Sequence, residues 1–182
     1  MKGLNKMYYA HWMYPHPYQP NVCYANVPMY TNDLRQLDYW NMYDDARKKV
    51  KDYGRQPFVV NINEAAKQNN TYRTALWTGN HLQVTLMSLN VGEDIGLEIH
   101  PNVDQFLRIE QGQGVVQMGK RKDHLNFVHR VNDDFAIMIP AGTWHNVTNT
   151  GNTPLKLYSI YAPPQHPAGT VHLTKAQALA AE

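Results

Sequence analysis

Between Asn70 and Tyr161 turn residues interrupt the chain about every 8 to 12 positions, and the runs between them are short and apolar-rich. TYRTALWT (71–78) stops at Gly79-Asn80, and HLQVTLMSL (81–89) stops in the turn from Asn90 to Asp94. The same rhythm continues to Tyr161 with no helical period between runs. Short, regularly spaced strands without intervening helices predict an all-β sandwich or barrel over 71–165.

The flanks read differently. Residues 1–30 crowd Tyr, Met, Pro, His and Trp together with hardly a charge after Lys6. Four prolines between Pro15 and Pro28 remove backbone donors and favour extended neighbours, so no helix is expected there. The segment reads either as an arm that packs its aromatics on the main domain or a neighbouring subunit, or as an adhesive, cross-linkable segment. From 31 to 70 the pattern turns helical. Leu34, Leu37, Trp40, Tyr43, Ala46, Val50 and Tyr53 recur at spacings of three or four, after a cap from Thr31, Asn32 or Asp33 and before a stop at Gly54. A second short helix is predicted around Glu64 to Gln68, with Asn61 as its cap. Residues 166–182 read as a loop and a short helix starting at Thr174.

A chain of 182 residues holds one domain with an appendage. Lys and Arg total 17 against 15 Asp and Glu, and the net charge of +2 gives no electrostatic footprint for nucleic acid or anionic lipid. No run reaches the roughly 18 apolar residues of a membrane span, and the N-terminus has no apolar signal core. The lone Cys23 fits a reducing compartment, so a cytoplasmic protein is expected, with homodimerisation as the expected assembly. The Tyr- and Met-rich arm resembles segments of spore-coat proteins, which makes a structural role in the spore coat the alternative.

Two segments carry the chemistry. In GLEIHPNVDQFLRIEQG (96–112), a strand would turn Glu98 and His100 to one face and Leu97 and Ile99 to the other. Taken alone, such a pair is common on a wet edge strand. PAGTWHNVTN (140–149), however, presents a further histidine, His145, after a Pro and a Gly. There is no Gly-rich phosphate loop, no Gly-x-Ser-x-Gly elbow and no Cys pair for structural zinc, and Cys23 lies far from any candidate base.

The spacing of the two segments resembles the two motifs of the cupins. Gly92, five residues, Glu98-Ile99-His100, four residues, Gln105, six residues and Gly112 match the intervals of the first motif. Asp134, five residues, Pro140-Ala141-Gly142, two residues, His145, three residues and Asn149 match the second, with Asp134 standing where the family has glycine. PPQHPAGTVH (163–172) further resembles small single-domain bacterial cupins, some of which carry a mannose-6-phosphate-isomerase-like label that rests on fold. The resemblance implies a jelly-roll (double-stranded β-helix) barrel with the arm and one or two helices outside it.

Carried over position by position, the resemblance implies metal ligands at Glu98, His100, Gln105 and His145. The family's usual three histidines and one glutamate become two histidines, one glutamate and one amide, so the carboxylate has moved without changing the charge count. Such a set suits one divalent ion among Fe, Mn, Zn, Ni and Co. Asp104 is the rival to Gln105. The function implied is a metal-dependent isomerase, lyase or dioxygenase acting on a small oxygen-rich molecule held in the barrel, with Glu98 doubling as general base. A non-catalytic ligand-binding cupin is the alternative. His81, His124 and His129 read as surface residues, His166 and His172 as loop anchors, Arg108 and Glu110 as outward-facing, Trp144 as packing at the barrel mouth, and Tyr158 and Tyr161 as either lining or core.

Overall fold

The computed structural model describes residues 50–181. The arm at 1–30, Cys23 and the helical pattern up to residue 49 lie outside the described residues. The last turn of that pattern is not helical: Val50 to Tyr53 forms no helix and leads into a turn at Gly54. The Tyr53 N–H donates to the Leu76 carbonyl at 2.8 Å, and Asp52 accepts from the Thr78 hydroxyl at 2.6 Å and from the Gly169 N–H at 2.8 Å. Partners distant in sequence override the local helical period here.

The chain continues through α1 (Ile62–Gln68), β1 (Arg73–Thr78), β2 (Gln83–Leu89), β3 (Asp104–Gln111), β4 (Gln113–Gly119), β5 (Phe127–Asn132), β6 (Ala136–Ile139), β7 (Trp144–Asn149), β8 (Leu155–Ala162), β9 (Val171–His172) and α2 (Lys175–Leu179). Both helices begin at the caps read from sequence. The Asn61 side chain accepts from the Glu64 N–H, and the Thr174 hydroxyl accepts from the Gln177 N–H, each at 3.3 Å. Among the described residues no helix is long and apolar enough to cross a membrane.

The strands form two antiparallel sheets with the orders β6-β3-β8-β2-β1-β9 and β5-β4-β7. This is the jelly-roll expected, but the barrel is not closed. Among the described residues no ladder joins β5 to β6, and β6 has only four residues with which to pair. Leu107, Ile109, Met87 and Leu157 of the larger sheet meet Val116, Met118, Val131 and Val147 of the smaller in one buried core. On the outer face of the larger sheet, α1 covers Glu110. That residue does lie opposite Leu107 and Ile109, yet it is 0% exposed because the Asn63 amide and the Arg108 guanidinium donate to its carboxylate.

The motif positions that are not candidate ligands shape turns. Gly112 sits at φ +94°, and a Cβ there would come within 3.0 Å of the Pro154 carbonyl oxygen and 3.1 Å of Leu155 Cα. Asp134, the residue that departs from the family's glycine, has φ 70° and keeps the left-handed turn. Its carboxylate accepts from Arg108, and its N–H donates to the Ile109 carbonyl at 3.0 Å. Asn149 is 1% exposed, and its amide reaches the carbonyls of Leu89, Asn90 and Thr153 at 3.0, 3.1 and 2.9 Å, tying the end of β7 to two neighbouring turns. Asn149→Ala strips these carbonyls of their donor and should cost about 3 kcal/mol of unfolding free energy. Gly112→Ala should cost about 2 kcal/mol through its backbone strain and clash. Denaturant titration with an unchanged slope is the check on both; a loss below about 0.5 kcal/mol would contradict the assignments.

Candidate metal centre

The inner face of the larger sheet changes character along its strands. β8 runs inward as Leu155, Leu157, Ser159 and Tyr161; β2 as Leu89, Met87, Thr85 and Gln83; and β3 as Ile109, Leu107 and Gln105. Register aligns these changes. Ser159 lies opposite Thr85 and Leu107, and Tyr161 lies opposite Gln83 and Gln105. One end of the sandwich interior is thus apolar and the other polar. Burying so many polar groups costs free energy unless they are bonded or serve a ligand.

Glu98 and His100 enter this polar end from a segment that is not the regular strand expected. Residues 92–98 run along the free edge of β7 with bridges Asp94–Thr148 and Glu98–His145, so four steps on one side oppose three on the other. The extra residue falls at the bulge around Gly96, whose φ is +86°. The bulge ends where Glu98 and His145 exchange main-chain hydrogen bonds of 3.1 and 3.0 Å, which fixes their side chains next to each other. The Gly142 N–H donates to the His100 carbonyl at 2.9 Å and ties the second motif's turn to the first.

Ligand atoms of Glu98, His100 and His145 lie within 4.8 Å of one another. Glu98 Oε1 is 3.2 Å from His145 Nε2 and 3.4 Å from His100 Nε2. Ligands about 2.1 Å from an ion at angles of 90° to 109° stand about 3.0 to 3.4 Å apart, so these spacings suit a shared cation. The ring tautomer agrees. His145 Nδ1–H donates to the Thr143 carbonyl at 2.9 Å, which turns Nε2 toward Glu98. Nε2 then meets the carboxylate either as an imidazolium N–H or across a cation.

Gln105 lies on β3 of the larger sheet, 3% exposed, with its Nε2 donating to Ser159 Oγ at 3.0 Å. Its Oε1 is buried with no hydrogen-bond partner, as is His100 Nε2. A buried amide oxygen and a buried imidazole nitrogen left without donors fit a site built around a cation. Asp104 is exposed on the other strand face, where its carboxylate accepts from the Ala141 N–H at 2.8 Å.

Burial raises the Glu98 carboxyl, but its contacts with the His100 and then the His145 rings outweigh burial and hold it at about 2. It therefore stays ionised down to acid pH. Beyond it stands Arg73, 1% exposed, with Nη2 4.0 Å from Glu98 Oε2. Tyr161 is 0% exposed, its ring centroid 5.6 Å from that of His100 and 5.1 Å from that of His166. Tyr158 faces the other way and packs on the outer cluster. His166 does anchor its loop, since its main chain exchanges hydrogen bonds of 2.9 and 3.0 Å with the Gln83 amide. Its ring, however, belongs to the wall of the site. His81, His124 and His129 are exposed.

Sequence reasoning missed Arg73, Ser159 and the ring of His166. The available signal for Arg73 was a cation at an inward position of an apolar strand, in step with Ala75 two residues on. Burial pushes the His166 imidazole down to about 3, with Arg73, His100 and His172 adding to the push and Glu98 opposing it. Because the folded value lies below the usual 6.5, the unfolded chain binds the proton first. Stability should be intact above about pH 6.5 and fall as pH drops toward 3. His166→Asn should flatten melting temperature against pH in that window, and an unchanged slope would contradict the burial of this ring.

A model of the cupin domain (Cupin_2) matches residues 85–161. YrkC of Bacillus subtilis (strain 168) is 65% identical over 187 residues, covering 93% of this chain and 100% of YrkC. The crystal structure of BH2720 from Bacillus halodurans is 71% identical with a TM-score of 0.72, covering 72% of this chain and 99% of that one. A conserved protein with a double-stranded β-helix domain from Klebsiella pneumoniae is 18% identical with a TM-score of 0.50, covering 65% of this chain and 100% of that one, a likeness of fold alone. Matching motifs, fold and relatives converge: this chain belongs to the cupin superfamily.

Proposed function

We propose that the chain is a metal-dependent enzyme acting on a small oxygen-rich molecule, sugar-like or bearing carbonyl and hydroxyl groups. Glu98, His100, Gln105 and His145 hold one divalent ion. The observation that carries this reading is the facing of an ionised Glu98 oxygen and two imidazole nitrogens over 3.2 and 3.4 Å, beside the partnerless Gln105 oxygen. Two nitrogens and two oxygens suit Fe, Mn, Co, Ni or Zn. When bound, such an ion supplies Lewis-acid polarisation of a substrate oxygen or the activation of dioxygen, which places isomerase, lyase and dioxygenase reactions within reach.

The chain's own residues supply the positioning. The Thr143 carbonyl holds the His145 ring in the tautomer that presents Nε2 to the centre. Ser159 takes the Gln105 amide N–H and so turns the amide oxygen away from itself. Glu98 is the carboxylate of the cluster and its candidate proton acceptor, with a side chain 14% exposed beside histidines at 8% and 0%. Substrate enters from that side. The Tyr161 ring packs edge-on against both the His100 and the His166 rings.

Elemental analysis of protein purified without chelator should find about one transition metal per chain. Glu98→Ala and His145→Ala should each weaken metal affinity by about 100-fold or more and abolish turnover of sugar and hydroxy- or oxo-acid panels. Protein without stoichiometric metal, whose two variants melt like the parent, would overturn the reading. Loaded protein that binds panel members without turnover would make this a ligand-binding cupin instead.

A further inference from the structure

Among the described residues β5 and β6 each pair on one side only, and the sandwich is open between them. The opening holds a groove of about 340 Å³. Its floor is the core itself, in the buried side chains of Val116, Met118, Val131 and Ile137. Its rim includes Phe127 and Phe135, 48% and 46% exposed, with the Phe127 ring centroid 4.4 Å from that of His129. Of the lining side chains only that of His129 is polar.

Register connects this groove to the metal centre. Across β7, β4 and β5, His145 lies opposite Met118 and Met118 lies opposite Phe127. One row of inward side chains therefore runs from a ligand position to the rim of the groove. Neighbouring strands stand about 4.8 Å apart, so the two ends of the row are about 10 Å from each other. Met118 occupies the middle, and its unbranched thioether side chain adapts to what lies on either side.

Shape and chemistry select the occupant. Contiguous apolar surface left open to water marks a binding site. Docking of a second copy needs a broad face, about 800 Å² on each partner, whereas a narrow groove that reaches core side chains takes a group inserted end-on. Its volume stands at the small end of ligand pockets and suits one aromatic ring or a short alkyl chain.

We propose that the substrate carries an aryl or short alkyl group that fills this groove while its oxygen-bearing end meets the metal. The inference rests on the metal-binding reading above and narrows its oxygen-rich substrate to an amphipathic one. Met118 and Phe127 make the apolar contact and set specificity.

The test is calorimetric titration of the full-length, metal-loaded protein with lactate, 2-hydroxyhexanoate and 3-phenyllactate, which share one chelating end. Metal content and sedimentation are measured on the same samples. Affinity should rise about fourfold per buried methylene, and 3-phenyllactate should bind about tenfold or more tightly than lactate. His129→Trp, which projects a larger ring into the groove from an exposed position, should erase that gain and leave lactate affinity and metal stoichiometry unchanged. Phe127→Ala should reduce the gain several-fold. Equal affinity across the series in fully loaded protein, or a gain that both variants retain, overturns the groove and leaves the metal reading standing. A parent dimer that His129→Trp dissociates assigns the groove to a second copy and likewise overturns it. Absence of metal in the parent overturns both readings, by a different measurement.

Discussion

Two main-chain hydrogen bonds, Glu98 N–H to the His145 carbonyl and His145 N–H to the Glu98 carbonyl, hold the rest of the site in place. They join segments 47 residues apart in sequence. Side chains at a directly opposed pair stand on one side of the ladder about 5 Å apart at Cβ, so a carboxylate and an imidazole at these positions meet without further adjustment. The bulge at Gly96 is what allows this. It takes up one residue, and without it the alternation along 94–98 would turn Glu98 to the opposite face from the one His145 shows.

The centre also depends on how the larger sheet distributes polarity. Strands β2, β3 and β8 each exchange aliphatic for polar inward residues at the same level, because antiparallel register carries the change across the sheet in rows. The apolar end supplies the core that stabilises the sandwich, from Leu89 and Leu155 to Ile109. The groups of the polar end are restrained by one another: Ser159 by Gln105, Gln83 by Thr78 and the His166 main chain. The apolar core and the polar groups are thereby separated along the strand direction, which keeps partnerless polar atoms such as Gln105 Oε1 out of the core.

Much of this was legible in the sequence. Turn spacing predicted the strands, and the caps Asn61 and Thr174 predicted the two short helices, because both signals act over a few residues. The convergence of Glu98, His100 and His145 was implied by the resemblance of the two segments to the cupin motifs. Other features were not local. The helical period that reached Tyr53 yields to a hydrogen bond with Leu76, and Glu110 is buried by a helix whose covering of that face no alternation pattern announces. Closure of the barrel depends on whether edge strands β5 and β6 find each other, and their own sequences carry no mark of it. Arg73 was hidden for a similar reason. Its meaning lies in a carboxylate 25 residues further along the chain, and only the fold brings the two within 4.0 Å.

That pairing also explains why the carboxylate sits at position 98 here. At position 105 a charged oxygen would face Ser159, a neutral hydroxyl. With glutamate at 98, one oxygen faces the histidines and the other faces the guanidinium, so a single carboxylate serves the centre and the cation beside it. The amide at 105 suits its own place equally, since it gives an N–H to Ser159 and still presents an oxygen inward, which a carboxylate could do only by forgoing the donor role. The placement of the acid at 98 and the amide at 105 is therefore coupled to Arg73 through the second carboxylate oxygen of Glu98.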